Sequence, residues 1–590
     1  MKKNTNTELL SKTFFRLLPI QILLALVSAV NGAISGIFGS NFVGPAVMSA
    51  IGLYGPISMF LMAASMVFVG GSQILCGKYM GKNEPEKTQD VFKLSLLTVT
   101  GFSVVVCVIL LLSVFTSLTR VFTSDAVTRE TLNKYILGQV IGILPLMLGQ
   151  LLPAYLSIEN QSGRTTISGI VCIIVNVLAN LLFVVLLKMS AFGLALASSA
   201  GMWALLCVQA AYFFSGKSFF KIKHKAADWR GSLDIIKIGY PGALSNVYQA
   251  VRAVILNAII LQFVGTVGLS SFAASESILR LFWTIPYGMI VVSRMLMSIS
   301  IGEEDRKSLA DAMRVAMYKC VPLMCCVSVL IILCAVPFTR MFYRDPADPV
   351  YGMTVNAFRI VPLCMPLSII CMHFACYAQA SGKQFLIHLL SLLDGVVCAA
   401  GFSALLVPAL KMDGVYIAYV LNGIVCAIAI VAYSWAVRKQ FPRNMEELMV
   451  IPDDFGVSEN ERIDISVKNL DEVMIVSQQV IDFCDSHGID GRTGYFAGLF
   501  LEEMAANVVD HGFKKDKKSH TVDIRVIHKE DDEIILRIKD DCIPFDPEER
   551  LEIFDPNDKM KNEGIRMVYK GAKDIRYQNI LGLNVLTICI

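Results

Sequence analysis

From Phe14 to about Val437 the chain is a succession of apolar runs, each roughly 20 residues or longer, joined by short polar connections. A helix of that length crosses roughly 30 Å of hydrocarbon and satisfies every backbone group internally. The pattern predicts twelve spans, over residues 14–38, 45–77, 91–118, 134–158, 166–187, 192–215, 235–262, 270–300, 310–338, 352–380, 385–408 and 414–437. From about Arg438 onward no run is long enough to span a bilayer. Residues 441–460 are polar, hold Pro442 and Pro452, and read as a linker. Beyond it the period changes. Ile463 to Val467, Thr521 to His528 and Ile534 to Asp540 alternate like strands, whereas Leu470 to His487 and Gly494 to Gly512 have helical spacing. A helix from about Gly564 and a last strand, Leu583 to Ile590, complete the pattern. The expected architecture is multi-domain: an all-α polytopic membrane domain over residues 1–440, and an α/β sandwich over 461–590 with helices on one face of a mixed sheet.

Charge orients the spans. A hydrophobic share of 55% with only 17% charge excludes an ordinary soluble protein. The even-numbered connections carry Lys78, Lys82 and Lys87, then Arg164, then Lys217 to Arg230, then Arg306 and Lys307, then Lys383. The odd ones are poorer, with Arg129, Lys134, Arg340 and Arg344 as exceptions. This bias places both termini in the cytoplasm of a bacterial-type inner membrane. The first run lacks a cleavage site and is expected to stay as the first span. The 16 cysteines are scattered through apolar segments without disulfide or metal-ligand spacing, and read as small hydrophobes in helix packing.

The membrane part repeats itself at an offset of about 220 residues. Thr119-Arg120-Val121-Phe122 matches Thr339-Arg340-Met341-Phe342, and Gln161-Ser162-Gly163-Arg164 matches Ala380-Ser381-Gly382-Lys383. Leu187-Lys188-Met189 with Gly193 matches Leu410-Lys411-Met412 with Gly414. An N-lobe over 1–225 and a C-lobe over 226–440, each of six spans, then share one orientation, and a cleft between them is the expected transport path.

Leu18-Pro19-Ile20 through Gly36 and Gly44, the loop Gly77-Lys78-Tyr79-Met80-Gly81-Lys82-Asn83, and Ala378-Gln379-Ala380-Ser381-Gly382-Lys383 resemble the multidrug and toxic-compound extrusion (MATE) family, in the group that includes lipid-linked oligosaccharide flippases. The resemblance covers roughly residues 10–440 and implies a secondary transporter, an antiporter of the efflux type, coupled to protons or sodium. Family exporters often carry an Asp in the first and fifth helices; this chain has Asn31 and Asn180 there, which cannot titrate. Charges inside the spans are few and costly, so each is a candidate for the transport cavity. Arg252 lies in the seventh span, Glu276 and Arg280 one turn apart in the eighth, and Asp394 in the eleventh. Glu276 and Arg280 can pair on one helical face, or join Arg252 around an anionic substrate or coupled ion. His373 in the tenth reads as a packed, hydrogen-bonded residue.

In the C-terminal part Glu503, Asn507 and His511 recur every four residues and share a helical face. Oxygen donors stacked in this way suit Mg²⁺ against a nucleotide's phosphates. Asp540-Asp541-Cys542-Ile543-Pro544-Phe545-Asp546-Pro547 ends a strand, Asn562-Glu563-Gly564-Ile565-Arg566 opens a later helix, and Asp574-Ile575-Arg576-Tyr577 and Asn584-Val585-Leu586 follow. In this order the motifs resemble the GHKL (histidine-kinase-like) ATP-binding fold, in the branch of the anti-sigma-factor serine kinases. The resemblance covers 460–590 and implies ATP and Mg²⁺ as cofactors. Asn507 would hold the metal, Glu503 would be the general base, Asp540 would receive the adenine amino group, and Gly564 would begin the helix whose N-terminus faces the phosphates. His511 is added to the cofactor-binding set by its helical face, and Cys542 by its place in the motif, where the family has Gly. The lid holds one glycine where relatives have several. ATP binding is expected ahead of ATPase or serine kinase activity.

Two functions follow. One is a transporter gated by a cytoplasmic ATP-binding domain. The other is a signalling protein whose bundle senses a ligand and whose C-terminal domain phosphorylates or sequesters a partner. The expected partners are membrane lipids, a small-molecule or lipid-linked substrate and a cytoplasmic regulatory protein, with no nucleic acid.

Overall fold

The computed structural model describes residues 7–116, 118–121, 125–221, 229–514, 519–529, 533–548 and 563–590. Among these, twelve helical stretches are long and apolar enough to cross a membrane, from Glu8–Val43 to Met412–Arg438. They overlie the predicted spans, and most run several residues further. The fifth and eleventh spans, which correspond in the two lobes, each carry a π-helical stretch, Leu181–Leu186 and Leu393–Val397.

The lobes meet through glycines near the span ends that lie on the side of the chain termini. A Cβ added to Gly302, at the end of the eighth span, would lie 2.1 Å from the Lys78 carbonyl oxygen in the second. One added to Gly71 would lie 2.0 Å from the carbonyl oxygen of Ile235 in the seventh. Real side chains never approach so closely, so only Gly allows the N-lobe and C-lobe backbones to seal here. The start of the first span and the C-terminal domain are on this side together, because Glu8 pairs with Lys468 at 3.0 Å.

The linker is packed. A short helix, Met445–Met449, is capped by Asn444. Met449 and Ile451 join a buried cluster with Leu309, Tyr377 and Leu386 of the C-lobe. Lys383 Nζ donates to the Val450 carbonyl at 2.8 Å, and Arg306 Nε reaches Glu446 at 2.7 Å.

The C-terminal domain has its own apolar core. Its strands are β1 (Arg462–Val467), β2 (Val522–His528), β3 (Ile534–Asp540), β4 (Asp574–Ile580) and β5 (Leu583–Cys589), in the order β1-β2-β3-β5-β4. Every pairing among the described residues is antiparallel, which corrects the expected mixed sheet. The connections explain this: β4 and β5 form a tight hairpin through Leu581 and Gly582, both at positive φ, and short turns of this kind join only antiparallel neighbours. β4 has no counterpart in the sequence-based expectation. The helices are Leu470–Ser486, Gly491–Asn507 and Glu563–Gly571. Asn469 caps the first by accepting from Glu472 N at 2.9 Å, while the Glu472 carboxylate accepts from Lys468 N at 2.7 Å, a reciprocal cap.

Strand alternation gives the sheet two working faces. Val522, Ile524 and Val526 of β2 and Leu536 and Ile538 of β3 enter the apolar core, alongside residues of the helices. The intervening Arg525, Arg537 and Lys539 face the membrane part. Arg525, 6% exposed, pairs with Asp305 in the connection after the eighth span and with Asp464 at 2.6 Å. Lys539 pairs with Glu303 at 2.6 Å. On the N-lobe side Arg576 donates to the Asn83 carbonyl at 3.0 Å, Leu581 N donates to the Ile158 carbonyl at 2.9 Å, and Arg16 donates to the Leu581 carbonyl. One sheet face therefore touches connections of both lobes.

Candidate functional site

In the N-lobe, Asn31 and Asn180 are buried and linked through a third amide. Asn176 Nδ2 donates to Asn31 Oδ1 at 2.8 Å, and Asn180 Nδ2 donates to Asn176 Oδ1 at 2.7 Å. Asn31 Nδ2 in turn points to Cys172 Sγ at 3.2 Å. This chain ties the first span to the fifth. Asn176 was missed by sequence reasoning; its place four residues before Asn180, on the same helical face, was the available signal.

In the C-lobe Glu276 lies within electrostatic reach of both Arg252 and Arg280. Glu276 and Arg280 form no ion pair among the described residues, and Arg280 is exposed while Glu276 is half-buried. Arg252 makes its direct contacts with the eleventh and twelfth spans: Nη1 donates to the Asp394 carbonyl oxygen at 2.9 Å, and the guanidinium lies 5.3 Å from the Tyr419 ring centre. The Asp394 carboxylate accepts from Asn422 Nδ2 at 2.8 Å. His373 is packed as expected, with Nδ1 2.7 Å from the Ile369 carbonyl.

In the C-terminal domain a cavity of about 330 Å³ lies between the helix Gly491–Asn507 and the sheet, lined by Asn507, His511, Asp540, Cys542, Tyr577 and Asn584 among others. Asn507 Nδ2 donates to Glu503 Oε1 at 3.2 Å, one turn back on the helix. His511 lines the same cavity from a π-helical turn, Val508–Gly512, with its side chain largely in solvent. Cys542 Sγ packs beneath Gly512, where an added Cβ would meet it at 3.0 Å. A Cβ on Gly564 would lie 1.9 Å from the Glu503 carboxyl, so the start of the helix Glu563–Gly571 rests on that carboxylate. Asn562, the first residue of the same motif, lies outside the described residues.

Asp540 is buried on the opposite wall. Its Oδ1 accepts from Asn584 Nδ2 at 2.7 Å and from Cys542 N at 2.9 Å, and Tyr577 Oη donates to Asn584 Oδ1 at 2.7 Å. Burial pushes the Asp540 carboxyl above the usual carboxylate range, while the Asn584 and Cys542 hydrogen bonds oppose it. Tyr577 and Asn584 fall in the last two segments of the motif order, but the sequence assigned neither a role. Asn584 stands directly opposite Asp540 in the β3–β5 register, which only the folded sheet reveals.

Two stretches, residues 19–182 and 241–400, match the MatE family model and together make up more than half of the chain. The chain belongs to the MatE family. The two matched stretches begin in successive lobes, at the offset the internal repeat shows. No curated protein matches the chain. Among solved structures, a MATE in complex with MaL6 is 20% identical over 75% of this chain and 98% of its own, with a TM-score of 0.68. An outward-facing multidrug resistance MATE family transporter of the MOP superfamily is 20% identical over 76% of this chain and 100% of its own, with a TM-score of 0.67. A MOP superfamily transporter from Pyrococcus furiosus, described as having a binding pocket of reverse polarity that suggests a different function, is 20% identical over 76% and 99%, with a TM-score of 0.66. At such identities the likeness concerns the fold. The membrane part is that of a MATE-family transporter, a multi-pass protein in contact with lipid and handling a small-molecule substrate. In that frame the asparagine chain lies within the first matched stretch, and Arg252, Glu276, Arg280 and Asp394 lie within the second.

Proposed function

We propose that the chain is a MATE-type secondary exporter or flippase of a bacterial inner membrane, gated from the cytoplasm by a GHKL-like domain that binds ATP with Mg²⁺. The observation that carries this reading is the adjacency of Lys539 and Asp540 at the end of β3. Lys539 points to Glu303 of the membrane part, and Asp540 lines the cavity. A change on one face of a strand is thereby one residue away from the contact on its other face.

The cavity suits the class of ligand. Its volume is in the range of small-molecule sites. Asp540 offers a carboxylate to an exocyclic amino group, with Asn584 and Tyr577 orienting it. Asn507 offers an oxygen to a hard cation, and Glu503, one turn back, is the general base. The N-terminal amides of the helix from Glu563 favour an anion. The role of ATP is regulatory; its binding and the docking of the sheet on both lobes are linked equilibria, so each biases the other. Loosening the sheet would free the sealed glycine contacts between the lobes, and strengthening it would hold them.

The test is substrate flux in proteoliposomes with and without a non-hydrolysable ATP analogue, for the wild type and Asn507→Ala. Nucleotide-dependent flux that Asn507→Ala abolishes is expected. Equal flux under all four conditions would remove gating. A second reading, a ligand sensor with anti-sigma-like serine kinase activity, is favoured by one observation: the buried Asn31–Asn176–Asn180 chain holds no titratable group. Transfer of labelled phosphate from ATP to a cytoplasmic protein by the full chain, together with absent flux, would support it.

A further inference from the structure

The tenth, eleventh and twelfth spans (Pro349–Ser381, Gln384–Leu410 and Met412–Arg438) bring Cys371, Asp394 and Cys426 together. One Sγ of each cysteine and one Asp394 carboxylate oxygen all lie within 4.8 Å of one another. Both thiols are buried, at 2% and 0% exposure. Asn422 lies one helical turn before Cys426, so the two share a face. Its Nδ2 donates to Asp394 Oδ1, but its own Oδ1 is buried without a hydrogen-bond partner among the described residues. An orphaned buried acceptor is costly in any protein and more so at membrane depth. Asp394 also sits in the π-helical stretch Leu393–Val397, a distortion often found at functional sites.

We propose that Cys371, Asp394 and Cys426 bind a thiophilic divalent cation of the Zn²⁺ class. Asn422 Oδ1 completes the set as a neutral oxygen, directly or through one water. Two thiolates and a carboxylate with one neutral oxygen suit tetrahedral Zn²⁺, whereas Mg²⁺ and Ca²⁺ prefer all-oxygen sets. Two thiol protons leave as the metal enters. The charges then balance: three negative groups face the dication and the Arg252 guanidinium, which touches the Asp394 carbonyl. A buried charge cluster persists only when paired in this way. The site is built wholly from the C-lobe and does not depend on the nucleotide reading.

The test is Co²⁺ titration of the full chain in detergent, first stripped of metal with a chelator. A thiolate-to-cobalt charge-transfer band that saturates at one equivalent and is displaced by Zn²⁺ is expected. Cys371→Ala and Cys426→Ala should each abolish the band, and Asp394→Asn should weaken Co²⁺ binding at least 10-fold. His520, Asp541 and Cys542 form a second set with ligand atoms within 4.8 Å, in the C-terminal domain. The Cys542→Ser variant is therefore the control and should keep the band. Monodisperse elution of each variant guards against misfolding, and the near-isosteric Asp394→Asn provides an independent arm. No band in the wild type, a band that survives Cys371→Ala/Cys426→Ala, or one lost in Cys542→Ser would overturn the proposal.

Discussion

Replacing Arg525 with Met removes a cation that contacts both Asp305 and Asp464. The losses differ. Asp464 keeps Arg462 at 3.1 Å and Lys307 at 3.9 Å. Asp305, 2% exposed, keeps the Ser308 N–H at 2.6 Å, the Ser308 side chain and the field of Lys539. Burial alone would raise the Asp305 carboxyl, but Arg525, Lys539 and Ser308 outweigh it and hold it well below the usual carboxylate range. Breaking a buried pair from one side costs about 3–5 kcal/mol because the remaining charge is uncompensated. Spread over the docking equilibrium, that is a shift of at least about 100-fold. The Leu581 amide reads it directly, since its hydrogen bond crosses to the Ile158 carbonyl. Hydrogen exchange at Leu581 should accelerate by that factor in Arg525→Met. Asp305→Asn/Arg525→Met should recover most of the protection, because removing both charges leaves no orphan. The sign with pH also follows. A depressed acid stabilises the docked state above its unfolded value near 4 and ceases to as pH falls through the depressed one. Wild-type protection should therefore decline in acid while Arg525→Met shows a flatter acid limb. Wild-type exchange at Leu581 in Arg525→Met, or a double variant as impaired as the single, would refute the reasoning.

Other perturbations test the remaining sites. Asp540→Asn should weaken binding of a fluorescent ATP analogue by about 10-fold or more, the worth of a charge-assisted hydrogen bond; titration of the full chain measures it. Asn176→Leu leaves the Asn31 and Asn180 amides without their shared partner and should cost about 1–3 kcal/mol, read as a lower melting temperature in detergent. Asp523 is buried beside Ser466, and burial pushes its carboxyl up to about 6. A raised acid is stabilising relative to its ionised form below the unfolded value and loses that stability as pH rises through about 6. Asp523→Asn should accordingly raise the melting temperature at pH 8 and have little effect near pH 4.

The spans were legible because hydrocarbon enforces long apolar runs, and the repeat because its polar and glycine positions recur in order. The core-facing strands were legible too, since β2 and β3 alternate between valine or isoleucine and charge. β4 was not: Asp574, Arg576, Gln578 and Asn579 give a half-exposed edge strand little apolar signal, although its register with β5 is unbroken. The Glu276–Arg280 spacing was informative only in part: Glu276 lies within electrostatic reach of Arg280 and Arg252, but among the described residues it forms no direct ion pair, and the Asp394 carbonyl and the Tyr419 ring take the direct contacts of Arg252. Helical spacing brought Glu503 and Asn507 together correctly, whereas the part played by Asn584 became visible only through its cross-strand register with Asp540.

The charges of the docking face show most clearly why sequence alone stops short. Arg525, Arg537 and Lys539 at alternate strand positions are what a solvated sheet face would also carry. Their meaning depends on Glu303 and Asp305, more than 200 residues earlier. Two polar surfaces that match in charge can be buried together only if the pairing is close to complete, since each orphan forfeits its hydration. That condition makes the interface a sensitive element: its net stability is a small difference between desolvation and pairing, so one altered strand position can tip it. An apolar interface of the same area would hold more firmly and respond less. In the gating reading, this is why a sheet carrying Asp540 on one face and Lys539 on the other is suited to transmit a ligand's presence to the seal between the lobes.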